Sequence, residues 1–213
     1  MKKQDYINIL YNFLPYELCE KITSYLFTYT FKDKDELIHA IKNYPDEIHG
    51  ECNYWDVSKI TDMSYLFKNT KFNSNISHWD VSNVENMCGM FQKSEFNGDI
   101  SNWDVSNVKN LCWMFKESLY NGDVSNWCVR NVLYMNSMFE RSKFNGDISK
   151  WDVSNVENMC GMFMHSQFNG DISKWDVRNT KYMCAMFYKN KFNGDISNWN
   201  LSIENMHYMF YEG

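Results

Sequence analysis

A phrase of 24 residues recurs along this chain without slipping, and that limits what it can fold into more than any other feature. Trp55, Trp79, Trp103, Trp127, Trp151, Trp175 and Trp199 stand 24 residues apart. So do Phe67, Phe91, Phe115, Phe139, Phe163 and Phe187, and so do Phe72, Phe96, Tyr120, Phe144, Phe168 and Phe192. Phe210 follows Phe187 one residue early, so the last unit carries a deletion. Registers kept this long predict a stack of near-identical coils. One unit cannot cover its own apolar face, whereas a neighbour about 4.8 Å away continues each column. A tryptophan placed this way buries ~150–250 Å², a gross gain of about 4–6 kcal/mol before chain entropy. The tryptophan and phenylalanine columns therefore read as core, as does the column Met90, Met114, Met138, Met162 and Met186.

Within one unit, Ile100, Trp103 and Val105 match an L-x-x-L-x-L strand spacing. Trp103 and Val105 then share one face and Asp104 takes the other. Val108, Leu111, Cys112 and Phe115 follow at i, i+3, i+4, i+7, the apolar stripe of a helix. Ser82 with Glu85, and Ser154 with Glu157, supply Ser-x-x-Glu capping boxes at its start. Asn-Gly at 97–98, 121–122, 145–146, 169–170 and 193–194 marks a tight turn. The expected fold is an α/β repeat solenoid, leucine-rich-repeat-like. Each 24-residue coil carries a short strand and a short helix. The division is a helical region over 1–47 and seven coils over 48–213.

The repeated FNGDISNWDVSNVxNMxxMF resembles, over roughly residues 48–210, the BspA-like leucine-rich-repeat surface-protein family, especially its mycoplasma lipoprotein branch. That resemblance implies a repeat fold used for binding, without catalysis.

The repeat is absent from the first fifty residues. Asp33 and Glu36 form a capping box ahead of Leu37, Ala40, Ile41 and Tyr44, predicting an amphipathic helix that stops before Pro45 and covers the first coil. Upstream, LPYELCEKITSYL resembles the opening of an F-box, matching at Leu14, Pro15, Glu17, Leu18, Ile22 and Leu26. The resemblance implies docking on a Skp-type adaptor of a cullin–RING ubiquitin ligase, an arrangement similar to proteins of large DNA viruses, with the repeats choosing the target. The plain alternative is that residues 1–47 only cap the stack, leaving a repeat scaffold or surface-type binding protein.

A net charge of −6 argues against nucleic acid as the main partner, and no apolar run is long enough to span a membrane. No signal peptide is recognisable and the cysteines fall at apolar positions, so a cytoplasmic location is expected, that of a host cell if the protein is viral. Cys88, Cys112, Cys160 and Cys184 share one position of the unit and read as buried thiols. The histidines form no metal-spaced cluster, and no nucleophile motif or phosphate loop appears, so neither an enzyme nor a cofactor is expected. Asp99 and its counterparts follow Asn-Gly, where aspartate usually bonds nearby backbone N–H groups. A second acidic column, Asp56, Asp80, Asp104, Asp152 and Asp176, is flanked by Arg130, Lys150, Lys174 and Arg178. Departures from the repeat mark target-binding candidates: Trp113 stands where Gly89 and Gly161 do, Tyr134 and Tyr182 replace asparagine, and Leu133 replaces a charged residue. With those four cations they form the candidate face. Tyr208, Met209, Phe210 and Tyr211 are expected to be exposed on the last coil and to pair two copies into a dimer.

Overall fold

The computed structural model describes residues 9, 11–19, 22, 28–45, 51–201 and 207–211. The stacking expectation holds and the expected content of each coil does not. Among the described residues of the repeats there is no α-helix and no strand longer than an isolated bridge. The fold is therefore not an α/β solenoid. It is a pile of coils built from turns, joined by single parallel bridges from Asp62 to Asn86, Asn110, Tyr134, Asn158 and Tyr182 in succession.

The residues expected to be helical show why. Along one coil the N–H groups of Met87, Gly89, Phe91 and Lys93 donate to the carbonyls of Asn110, Cys112, Met114 and Lys116 in the next coil, at 2.7–3.0 Å. The alternate N–H groups of Met90, Gln92 and Ser94 turn back to the carbonyl three residues earlier. No amide is left for an i−4 helical bond. The pattern needs a left-handed residue at every fourth position, and Gly89 and Lys93, Trp113 and Glu117, Ser137 and Arg141, and Gly161 and His165 all have φ between 53° and 63°. Ser82 accordingly caps no helix. Its N–H and hydroxyl both bond Asp80 Oδ1.

The expected strand fails for a different reason. Trp103 N–H closes a turn onto the Ile100 carbonyl. The carbonyl that a neighbouring backbone amide would need is taken by a ring: Trp103 Nε1 donates to Ile76 O at 3.2 Å, and Trp127 Nε1 to Ile100 O at 3.1 Å. The alternation itself survives, with Trp103 and Val105 buried and Asp104 exposed.

The core is the set of columns read from the sequence. Phe67, Phe91, Phe115, Phe139, Phe163 and Phe187 stack with centroids 5.3–5.8 Å apart, and the tryptophans lie beside them, 2–4% exposed from Trp55 to Trp175. Outside the core an asparagine ladder ties the turns together. Asn97, Asn121, Asn145, Asn169 and Asn193 each donate their N–H to the side-chain oxygen of the asparagine 24 residues before, at 2.8–3.0 Å. The glycine that follows is dictated by packing, since a Cβ on Gly98 would lie 2.8 Å from the Phe96 ring.

At the N-terminal end a helix does form where the capping box placed it, over Lys34–Asn43, with Asp33 Oδ1 accepting from Glu36 N–H. Leu37, Ala40 and Ile41 enter the core, and Phe31 and Tyr44 pack against Trp55. A parallel bridge between Thr30 and Asp56 joins this segment to the first coil.

Candidate functional site

Two adjacent columns make a rigid ledge along the stack. In the first, Glu85, Lys109, Leu133, Glu157 and Lys181 each donate their N–H to the carbonyl of the residue one coil back, at 2.8–2.9 Å. The second is the bridged column of Asn86, Asn110, Tyr134, Asn158 and Tyr182. Where asparagine stands, its side chain is used locally: Asn86, Asn110 and Asn158 Oδ1 accept from Cys88, Cys112 and Cys160 N–H. Tyrosine makes no such bond, so its ring is free to project. Tyr134 is 40% and Tyr182 59% exposed. They stand two coils apart, roughly 10 Å at the usual spacing.

Ion pairs flank the tyrosines. Lys109 Nζ reaches Glu85 at 2.7 Å and Lys181 Nζ reaches Glu157 at 3.0 Å. The hydrogen bond to Glu157 holds the Lys181 ammonium above its ordinary range. Leu133, half-buried, interrupts this alternation of charge and lies beside Tyr134. Trp113 is also half-buried, and its N–H donates to Asn136 O at 3.1 Å, two residues beyond Tyr134. Leu133 and Tyr134 are thus neighbours and Tyr182 shares the column of Tyr134, while Trp113 stands three residues past that column in its own coil.

The four cations are not part of that cluster. Arg178 pairs with Asp176 at 2.7 Å, and its guanidinium bonding holds the Asp176 carboxyl down at about 2. Arg130 lies 3.8 Å from Asp152. Lys150 and Lys174 sit beside Asp147 and Asp171, whose carboxyls are lowered chiefly by the N–H groups of Ser149 and Ser173. The same bond recurs from Ser101 to Asp99, Ser125 to Asp123 and Ser197 to Asp195. These aspartates serve their own turns.

Of the F-box-like residues, Pro15 starts a turn of helix, its carbonyl accepting from Leu18 and Cys19 N–H at 3.0 Å. Glu17 and Leu18 are exposed, Leu14 and Ile22 half-buried, and Leu26 lies outside the described residues. Two features escaped the sequence reading. Glu140 is buried and paired with Lys116 at 2.8 Å. The cysteine column is not uniformly buried either: Cys160 is half-buried and Cys184 exposed.

A family model described as "Mycoplasma protein of unknown function, DUF285" matches residues 32–143 and 118–213. No curated protein and no solved structure matches the chain. The matched span takes in the repeats and the Lys34–Asn43 helix, and it leaves out the segment that resembles an F-box.

Proposed function

As the chain belongs to this Mycoplasma repeat family of unknown function, we propose that it is a non-enzymatic binding protein whose ledge captures a target protein. The observation that carries this reading is the pair Tyr134 and Tyr182. Both are large and exposed, and both are mounted on a column bridged from coil to coil, where their own N–H and C=O groups are hydrogen-bonded. Rigid aromatic side chains lose little freedom on binding and are the usual anchors of interfaces. The ion pairs beside them give the ledge a polar rim. The test is to compare proteins retained by the chain with those retained by a Tyr134→Ala, Tyr182→Ala variant of unchanged stability. The reading predicts that a retained protein loses at least tenfold in affinity with the variant. Equal affinity would move the target to another face.

A second reading concerns the N-terminal segment. Phe13, Tyr16 and Leu18 are 81%, 65% and 44% exposed, an apolar set suited to docking. We propose that this segment engages a Skp-type adaptor, making the chain a recruiter of targets to a cullin–RING ligase in the cytoplasm. Binding of a purified adaptor by the chain, lost in a Leu14→Ala, Pro15→Ala, Leu18→Ala variant, would support it. No binding by either would leave the segment as a cap on a repeat scaffold. On the last coil Met209 is buried, contrary to expectation, while Tyr208, Phe210 and Tyr211 are exposed and favour pairing of two copies. Light scattering should then show dimer, and a monomer at high concentration would count against it.

A further inference from the structure

Cysteines occupy one position of the unit in two pairs of adjacent coils, Cys88 with Cys112 and Cys160 with Cys184, and all four are free thiols. The two pairs differ in cover. The ring of Tyr65 lies against Gly89 and its hydroxyl is 3.5 Å from Cys88 Sγ. Cys112 Sγ donates to Asn136 Oδ1 at 2.6 Å, and both thiols of this pair are buried. Among the described residues no ring covers the second pair in this way: the nearest side-chain atoms to a Cβ on Gly161 are Ser137 Oγ and Met164 Cβ, and there Cys184 is exposed and Cys160 half-buried.

Register places the second pair face to face. The bridge from Asn158 to Tyr182 fixes the coils two residues before it, and Gly161 N–H donating to Cys184 O at 2.8 Å fixes them at it. In-register residues on neighbouring parallel chains lie about 4.8 Å apart, within the roughly 4.4–6.8 Å between Cα atoms that a disulfide spans. Burial, and then a thiol hydrogen bond with Cys184, push the Cys160 thiol up to about 12. That leaves the exposed Cys184 as the group that meets a reagent first.

We propose that Cys160 and Cys184 form a reversible dithiol–disulfide site that exchanges with low-molecular-weight disulfides of the glutathione class. Cys184, as thiolate, attacks one sulfur of the oxidised reagent, forming a mixed disulfide and releasing one thiolate. Cys160 loses its proton and attacks the Cys184 sulfur, closing the protein disulfide and expelling the second thiolate. Two protein thiols and one reagent disulfide become one protein disulfide and two reagent thiols, a two-electron exchange. The product staples two successive coils beside Tyr182.

Cys128 is a built-in control. It is exposed, but its counterparts one coil away on either side are Asp104 and Asp152, so it has no thiol to pair with. The test equilibrates the full chain with oxidised glutathione, quenches with acid, alkylates and maps the peptides. The expected result is a Cys160–Cys184 link removed by dithiothreitol, a glutathione adduct on Cys128, and reduced Cys88 and Cys112. A Cys160→Ser variant should trap the adduct on Cys184 at least tenfold more than the unaltered chain does. Separate adducts or free thiols at both Cys160 and Cys184 of the unaltered chain would overturn the proposal.

Discussion

At the scale of single residues, the repeat is explained by what each side chain does for the coil next to it. Trp127 fills a column and its Nε1 donates to Ile100 O at 3.1 Å. Trp127→Phe keeps most of the apolar area and leaves Ile100 O its bond from Trp103 N–H, but removes the bond between coils. It should cost about 1 kcal/mol in urea unfolding, the usual net worth of one hydrogen bond. Asn121 both donates to Asn97 and accepts from Asn145, so Asn121→Ala removes one exposed rung, at about 1 kcal/mol by the same measurement. These roles were only partly legible. The columns were, because 24-residue spacing of Trp and Phe has no reading other than stacking. The ladders were not, because Asn-Gly reads first as a local turn and nothing in one unit shows that its oxygen serves the next. Among candidate site residues, Tyr134 and Tyr182 were visible as departures from asparagine and are exposed. The cations were visible too, but Arg178 is held by Asp176 of its own turn and Arg130 lies near Asp152 of the next coil. The exposure of Cys184 was hidden, because Cys88 and Cys112 hold the same position of the unit and are buried.

At the scale of the element, the contest is between a helix and a run of turns. Val108, Leu111, Cys112 and Phe115 have helical spacing, and Val108, Leu111 and Phe115 are fully buried. Periodicity reports which side chains face inward and says nothing about where the amides go. A helix satisfies its own amides, whereas here a carbonyl one coil away satisfies half of them. Gly89 and Gly161, in the middle of the stripe, were the available warning, and both have positive φ. The two structures predict opposite effects of glycine. Ala185 has φ 54°, a conformation that costs a non-glycine residue roughly 1–2 kcal/mol. Ala185→Gly should hold stability constant or raise it by up to about 1 kcal/mol in urea unfolding, because relief of strain offsets the added freedom of the unfolded chain. In a helix interior the same change would lower it by about 1 kcal/mol. The helix that did form, Lys34–Asn43, had what the repeats lack: an aspartate cap bonded to the third residue and no neighbouring coil competing for its amides.

At the scale of the whole molecule, each coil depends on its neighbours and the surface charge is tied down coil by coil. Asp99, Asp104, Asp123, Asp147, Asp152, Asp171, Asp176 and Asp195 all have carboxyls held below the ordinary value, most by the N–H or hydroxyl of a serine two residues on and Asp176 by Arg178. A folded-state pKa below the unfolded one contributes stability that is fully present above about pH 4. That contribution is lost as pH falls through the folded values, down to about 2 at Asp176. The melting temperature should therefore be flat above about pH 5 and fall between about pH 4 and 2, where these carboxylates take up protons. The central claim is that the repeats are turn-built coils bonded to one another and not to themselves. Scalar couplings across hydrogen bonds, measured by NMR on the isotope-labelled chain, test it most directly. The amides of Gly89 and Phe91 should couple to the carbonyl carbons of Cys112 and Met114, the acceptors at 2.7 and 2.9 Å. Couplings from those amides to Glu85 and Met87 instead, the acceptors a helix would supply, would contradict it.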